Sequence, residues 1–223
     1  MRLIRQVYYS HFLALMSAHK KLRISLRKQP QQARSAGLVA IILEAAVQVL
    51  AKHGAQRFTT ARVAEKAGVS VGSLYQYFPN KAAILFRLQS DEWRQTSALL
   101  RGILEDVRKP PLERLRTLVH AFIRSECDEA KMRVALDDAA PLYRAAPEAQ
   151  AAMASGNHII QVFMREVLPE VCQTGRAMAG DLIASTLTAA GKQFSESPRS
   201  SAAIKAYAVA MSDMFCAYLK SLH

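Results

Sequence analysis

No acidic residue precedes Glu44. The first 34 positions hold eight bases (Arg2, Arg5, Lys20, Lys21, Arg23, Arg27, Lys28 and Arg34) and no acid. Residues 35 to 85 carry five bases against two acids, and residues 86 to 223 carry 17 against 16. The formal charge of +12 is therefore concentrated at the N-terminal end. An end so short of acid excludes a basic partner and favours a polyanion, either nucleic acid or an anionic membrane surface. Cysteine is scarce: Cys127, Cys172 and Cys216 are too few and too scattered for a disulfide framework or a zinc site. They read as small buried hydrophobes in a reducing compartment, which points to the cytoplasm. Nine Gly and eight Pro leave room for long helices, and no window alternates apolar and polar over strand length between turn signals. The longest clean apolar run is "LVAIIL" at Leu38–Leu43, so no membrane span is expected. Metalloprotease, nucleophile-elbow and P-loop signatures are all missing, and the six His are dispersed. An enzyme is not expected, nor a cofactor or metal.

What remains is an all-α pattern. "RKQPQQARS" at Arg27–Ser35 reads as a linker, preceded by a weakly amphipathic stretch from Leu3 to Met16. A first confident helix starts near Ser35, with Leu38, Ile41, Ile42, Ala45, Ala46, Val49 and Leu50 on one face and Gly54 as its stop. A short helix capped by Thr59 or Thr60 buries Val63, Ala64 and Ala67 and ends at Gly68. Ser70 caps a third helix of about two turns, "SVGSLYQYF", which Pro79 stops. Asn80 caps a fourth helix from Lys81. Helix, Gly-containing turn, helix is the helix-turn-helix layout, whose second helix fits the DNA major groove. Leu74 and Phe78 are four apart and face the core; Tyr75, Gln76 and Tyr77 are expected to project, with Val71, Gly72 and Ser73 on the leading turn.

These residues resemble the N-terminal domain of the TetR family of bacterial transcriptional repressors. The matching pattern is Ala45-Ala46, Leu50, Gly54, Phe58-Thr59-Thr60, Val63-Ala64, Ala67-Gly68-Val69-Ser70, Gly72, Leu74-Tyr75, Tyr77-Phe78, Lys81 and Leu85. The resemblance covers about a quarter of the chain. It implies a homodimer that binds double-stranded palindromic operator DNA and releases it when a small molecule enters the C-terminal domain. It also implies DNA contacts from Thr60, Arg62, Val71, Gly72, Ser73, Tyr75, Gln76, Tyr77 and Lys81. The expected division is a basic N-terminal extension at 1–34, a helix-turn-helix DNA-binding domain at 35–85, and a helical effector-binding and dimerisation domain at 86–223.

In the last of these, Leu112, Leu115, Leu118, Val119, Phe122 and Ile123 form one stripe. A wider stripe runs from Ile204 to Leu222, behind a helix at about 181–194 rich in small residues. A terminal stripe that wide needs a partner outside the chain, so helices at about 181–194 and 201–222 are the expected dimer interface. For a largely apolar effector the candidates are His120, Phe122, Met132, Tyr143, Met153, His158 and Phe163, adaptable or polar-tipped side chains on apolar helices. The competing reading is a helical adaptor attached to anionic membrane through its basic N-terminus. It gives no reason for Gly72, "YQY" and Lys81 at their spacing.

Overall fold

The computed structural model describes residues 23–27 and 33–222, without the side chains of residues 33, 34 and 152–157. The stretch from Leu3 to Met16 lies outside the described residues. Those described are all-α, with nine α-helices. These are α1 (Ala33–His53), α2 (Thr60–Ala67), α3 (Val71–Tyr77), α4 (Lys81–Leu104), α5 (Pro111–Asp128), α6 (Ala130–Ala139), α7 (Pro147–Val167), α8 (Gln173–Ser195) and α9 (Ser201–Lys220). A single 3₁₀ turn, Ala140–Leu142, joins α6 to the loop before α7.

The short helices α2 and α3 are held by their ends. The Thr59 hydroxyl accepts from the Arg62 N–H, and the Ser70 hydroxyl accepts from the Ser73 N–H at 3.0 Å. Each satisfies a backbone donor that the first helical turn leaves orphaned. Gly68 closes α2 at φ 66°, a left-handed conformation that a Cβ disfavours. Asn80 caps α4 through Oδ1, which accepts from the Ala83 N–H at 2.9 Å. One boundary and one buried face differ from the sequence reading. The first helix begins at Ala33 rather than at Ser35, so Ser35 lies inside it. Ile41 is half exposed while Val39 is buried, because the buried face of α1 is rotated slightly from the expected stripe.

Two cores result. The first gathers Ile42, Ala46 and Leu50 of α1, Phe58, Val63 and Ala64, Leu74, Tyr77 and Phe78, and Ala82–Leu85 with Leu88 of α4. It also takes in Ala135, Leu136, Ala139, Ala140, Tyr143 and Ala149 from α6 and beyond. The second joins α5, α7, α8 and α9 around Leu115, Leu118, Val119, Ile160, Met164, Ile183, Met211 and Phe215. Helix α4 is continuous through 24 residues, contributing Ala82–Leu88 to the first core and Leu104 to the second. Buried Arg114 fastens the far end: its guanidinium donates to the Leu104 carbonyl and to Glu166, and lies 5.5 Å from the Phe163 ring centroid.

Two stretches, Ser35–His53 and Ser201–Lys220, are long and apolar enough to cross a membrane by length and composition. Neither is an uninterrupted apolar run, since Glu44 and Gln48 interrupt the first and Lys205 and Asp213 the second. One face of each packs into a core, α1 against α2 and α6, α9 against α5.

Candidate nucleic-acid interface and effector cavity

Helix α3 has a sharply divided surface. Leu74, Tyr77 and Phe78 are buried, whereas Val71, Gly72, Tyr75 and Gln76 are exposed and Ser73 is half-buried. Tyr77 corrects the sequence reading. It was expected beside Tyr75 and Gln76 on the outer face, but only 6% of it is exposed. Positions 74, 77 and 78 stand at i, i+3 and i+4, which is one face of a helix, so Tyr77 belongs with Leu74. Only Tyr75 and Gln76 of "YQY" point away from the protein. Nothing but the Ser70 hydroxyl, at 3.7 Å, approaches the place where a Cβ on Gly72 would stand. The glycine is not demanded by internal packing and leaves the leading turn of α3 low and open.

Helices α2 and α3 are tied across this surface: the Thr60 and Tyr75 hydroxyls are 3.1 Å apart. That bond fixes the Tyr75 ring at the junction of the two helices. Arg62 Nη1 donates to the Arg57 carbonyl at 2.6 Å, keeping the guanidinium at the start of α2. Lys81 is half-buried at the first position of α4. Arg57, Arg62, Lys66 and Lys81 form no ion pair among the described residues, so their charges are available to an anion.

The second feature is a cavity of about 690 Å³ between α4, α5, α6, α7 and α8. Its apolar wall includes Trp93, Leu100, Leu118, Phe122, Ile160 and Leu187. Its polar part is larger than the expected few anchors: Glu92, Glu126, Asp137, Asp138 and Glu196 face it alongside two bases, Arg133 and Lys192. Arg133 binds Glu126 at 2.5 Å and Glu92 at 3.3 Å, and donates to the Ser125 hydroxyl at 3.0 Å. Burial pushes both the Glu92 and Glu126 carboxyls above the usual carboxylate range, and the nearby Arg133 guanidinium opposes that rise. The chain continues outward: Gln89 donates to Glu92 at 2.9 Å, and the Tyr143 hydroxyl bonds Gln89 at 3.2 Å and the Leu136 carbonyl at 3.1 Å. One hydrogen-bonded line thus runs from the cavity to the first core, where Tyr143 also meets Phe86 with ring centroids 5.8 Å apart.

Of the seven effector candidates, Phe122 lines this cavity. Tyr143 does not; it is buried in the first core. Phe163 is buried in the second core beneath Arg114. His158 is exposed, His120 is half-buried outside the cavity lining, and Met132 packs on the first core beside a smaller surface pocket. The side chain of Met153 lies outside those described. The cavity residues that sequence reasoning missed come mainly from α4, α6 and α8. Gln89, Glu92, Trp93, Thr96, Ser97 and Leu100 recur at three- and four-residue spacing on one face. That amphipathic stripe was visible in the sequence, but nothing in it distinguishes a cavity wall from a solvated face.

Two family models match the chain. Residues 42–88 match the N-terminal model described as bacterial regulatory proteins, tetR family. Residues 110–222, half of the chain, match the tetracyclin repressor-like C-terminal domain. Nucleoid occlusion factor SlmA of Vibrio campbellii is 37% identical over 83 residues, which is 37% of this chain and 42% of that protein. The chain thus spans less than half the length of the curated relatives it matches. Among solved structures, the fatty acid degradation regulator FadR of Bacillus halodurans superposes with a TM-score of 0.61 at 19% identity, covering 84% of this chain and 95% of that one. FadR of Bacillus subtilis in complex with stearoyl-CoA superposes with a TM-score of 0.59 at 18% identity, covering 79% and 96%. With residues 42–88 and 110–222 matched to its models, the protein belongs to the TetR family of bacterial transcriptional regulators.

Proposed function

We propose that this regulator is a ligand-responsive repressor that binds palindromic operator DNA as a homodimer and releases it when a small molecule fills the 690 Å³ cavity. The observation that carries the reading is the single helix α4, which starts at Lys81 beside the reading helix and lines the cavity from Gln89 to Leu100. Thr60, Arg62, Val71, Gly72, Ser73, Tyr75, Gln76 and Lys81 are the proposed DNA contacts. Gln76 and Tyr75 address base edges, and Arg62 and Lys81 hold phosphates. Residues 35 to 85 serve as the reading head and residues 86 to 223 as the effector-binding and dimerisation body. An operator-binding protein acts where the chromosome is, which makes its compartment the cytoplasm.

The homodimer reading rests on α8 and α9. Met178 and Leu182 on α8, and Val209 and Met214 on α9, are exposed apolar side chains, with Met178 66% and Met214 51% accessible. Two reading heads fit one face of a duplex at a separation of roughly 34–36 Å or a multiple of it. An effector pressing on Trp93 or Thr96 moves α4, and with it that separation. Stearoyl-CoA in the Bacillus subtilis FadR supports an organic effector with a substantial apolar part. Trp93, Leu100, Phe122 and Leu187 suit such a part, while the Glu92–Arg133–Glu126 cluster suits a polar head.

To release DNA, the effector must bind the wrong-spacing state more tightly than the operator-bound state. Reciprocity then requires operator DNA to weaken effector binding by the same factor by which effector weakens operator binding. Calorimetric titration of an effector, with and without operator duplex, is the test. Equal effector affinity in the two titrations would sink the induction model.

A further inference from the structure

The segment Arg23–Arg27 lies far from the reading helix in sequence, yet it is built into the reading head. Ile24 is 3% exposed and belongs to the first core, and Leu26 packs against it. The Arg27 N–H donates to the Tyr77 carbonyl at 2.8 Å. That carbonyl is at the C-terminal end of α3, where helix geometry leaves acceptors without an intrahelical donor. Asn80 completes the attachment. Its Nδ2 donates to the Arg23 carbonyl at 2.9 Å while its Oδ1 caps α4. The segment is therefore pinned at both ends to the α3–α4 turn, one residue from Lys81. With Ile24 held inside, Arg23 and Arg27 are left exposed, and neither forms an ion pair among the described residues.

We infer that residues 23–27 are a docked basic strap that adds Arg23 and Arg27 to the phosphate-binding surface of the reading head, beside Lys81. This rests on the DNA-binding reading above and extends its contact set. The buried isoleucine and the two backbone bonds remove the ordering cost that a free tail would bear on binding. Two exposed guanidiniums carried on a backbone pinned to the turn before Lys81 suit the evenly spaced negative charge of a duplex backbone.

The test measures fluorescence anisotropy of the full chain on a labelled random-sequence duplex across a NaCl series. The proteins are wild type, Arg23→Ala/Arg27→Ala, Ile24→Ser and Lys81→Ala. Each lost phosphate contact lowers the slope of log affinity against log salt by about 0.9. The double alanine variant is expected to lose about 1.8 of that slope, at unchanged thermal stability because both side chains are exposed. Ile24→Ser keeps every charge but frees the strap, and is expected to weaken low-salt binding at least threefold. A double variant with the wild-type slope and affinity overturns the strap proposal, provided wild type binds and Lys81→Ala weakens it. Failure of wild type to bind any duplex would instead overturn the DNA-binding reading beneath it. A double variant that keeps duplex affinity but loses binding to phosphatidylglycerol vesicles would overturn the proposal in favour of a membrane surface.

Discussion

A single helical step decides what Tyr75, Gln76 and Tyr77 do. Consecutive residues on α3 are turned by about 100°, so three neighbours cannot all share one face. Tyr75 and Gln76 stay outside, and Tyr77 turns back under the helix to join Leu74 and Phe78. The consequences for substitution separate cleanly. Gln76→Ala should relax preference at one base pair, costing roughly 1–3 kcal/mol on the preferred sequence and little on others. Lys81→Ala should weaken all duplexes alike and reduce the salt slope by about one unit. Tyr77→Ala should do neither directly; it should destabilise the fold by about 3 kcal/mol, as truncating a buried aromatic does. Binding isotherms on single-base operator variants, set beside urea unfolding curves, distinguish the three. A Tyr77→Ala protein of full stability with altered base preference would restore the original expectation that this ring faces the groove. The caps Thr59, Ser70 and Asn80 and the stop at Gly68 were legible in the sequence because each works within three or four residues of itself. Tyr77 is harder to place from the sequence, because Leu74 and Phe78 at i and i+4 already define a core face and only the i+3 relation to Leu74 adds Tyr77 to it.

At the scale of elements, the decisive piece is α4. Its N-terminal turns are apolar on most sides because the first core surrounds them, and its middle turns carry Gln89, Glu92 and Thr96 toward the cavity. The cavity was not legible in the sequence. Glu92, Glu126 and Arg133 come from three helices, and each alone looks like a solvated charge; only tertiary packing brings them within 2.5 to 3.3 Å. Burial makes this cluster sensitive to pH. Glu92 and Glu126 have raised folded-state pKa values, so the native state holds their protons more tightly than the unfolded chain does. Stability from these groups is greatest below the unfolded carboxylate pKa and declines as pH rises through the raised native values. Arg133 limits that decline. Arg133→Ala should therefore cost about 3 kcal/mol at pH 8, where two buried carboxylates are left without a counter-charge. It should cost distinctly less at pH 5, where they can take up protons. Denaturant unfolding at the two pH values checks this, and a loss independent of pH would show that the guanidinium acts by packing alone.

For the whole molecule, a basic end, a divided reading helix, a continuous α4 and an apolar α8–α9 surface suit one another. The broad stripe on α9 suggests a second partner, but the chain's own second core takes up nearly all of it: Ala208, Met211, Phe215 and Leu219 are buried, and Ile204, Tyr207, Tyr218 and Leu222 pack against them. Met214 alone of the stripe stays exposed, together with Val209 beside it. Leu182→Asp combined with Met214→Asp should shift the protein from dimer to monomer in sedimentation velocity. It should also lower affinity for a palindromic site more than for a single half-site, since only a dimer engages both halves. A double variant that sediments like wild type would move the interface elsewhere. The central claim, that the α2–α3 surface reads sequence, has a more direct test than any variant. The wild-type protein is titrated against labelled duplex from upstream of its own gene and against the same duplex with its sequence scrambled, at one fixed salt concentration. A sequence-reading repressor should prefer the upstream duplex by about a thousandfold or more. Equal affinity for the two duplexes would contradict the account, leaving a basic helical protein that holds phosphates without reading bases.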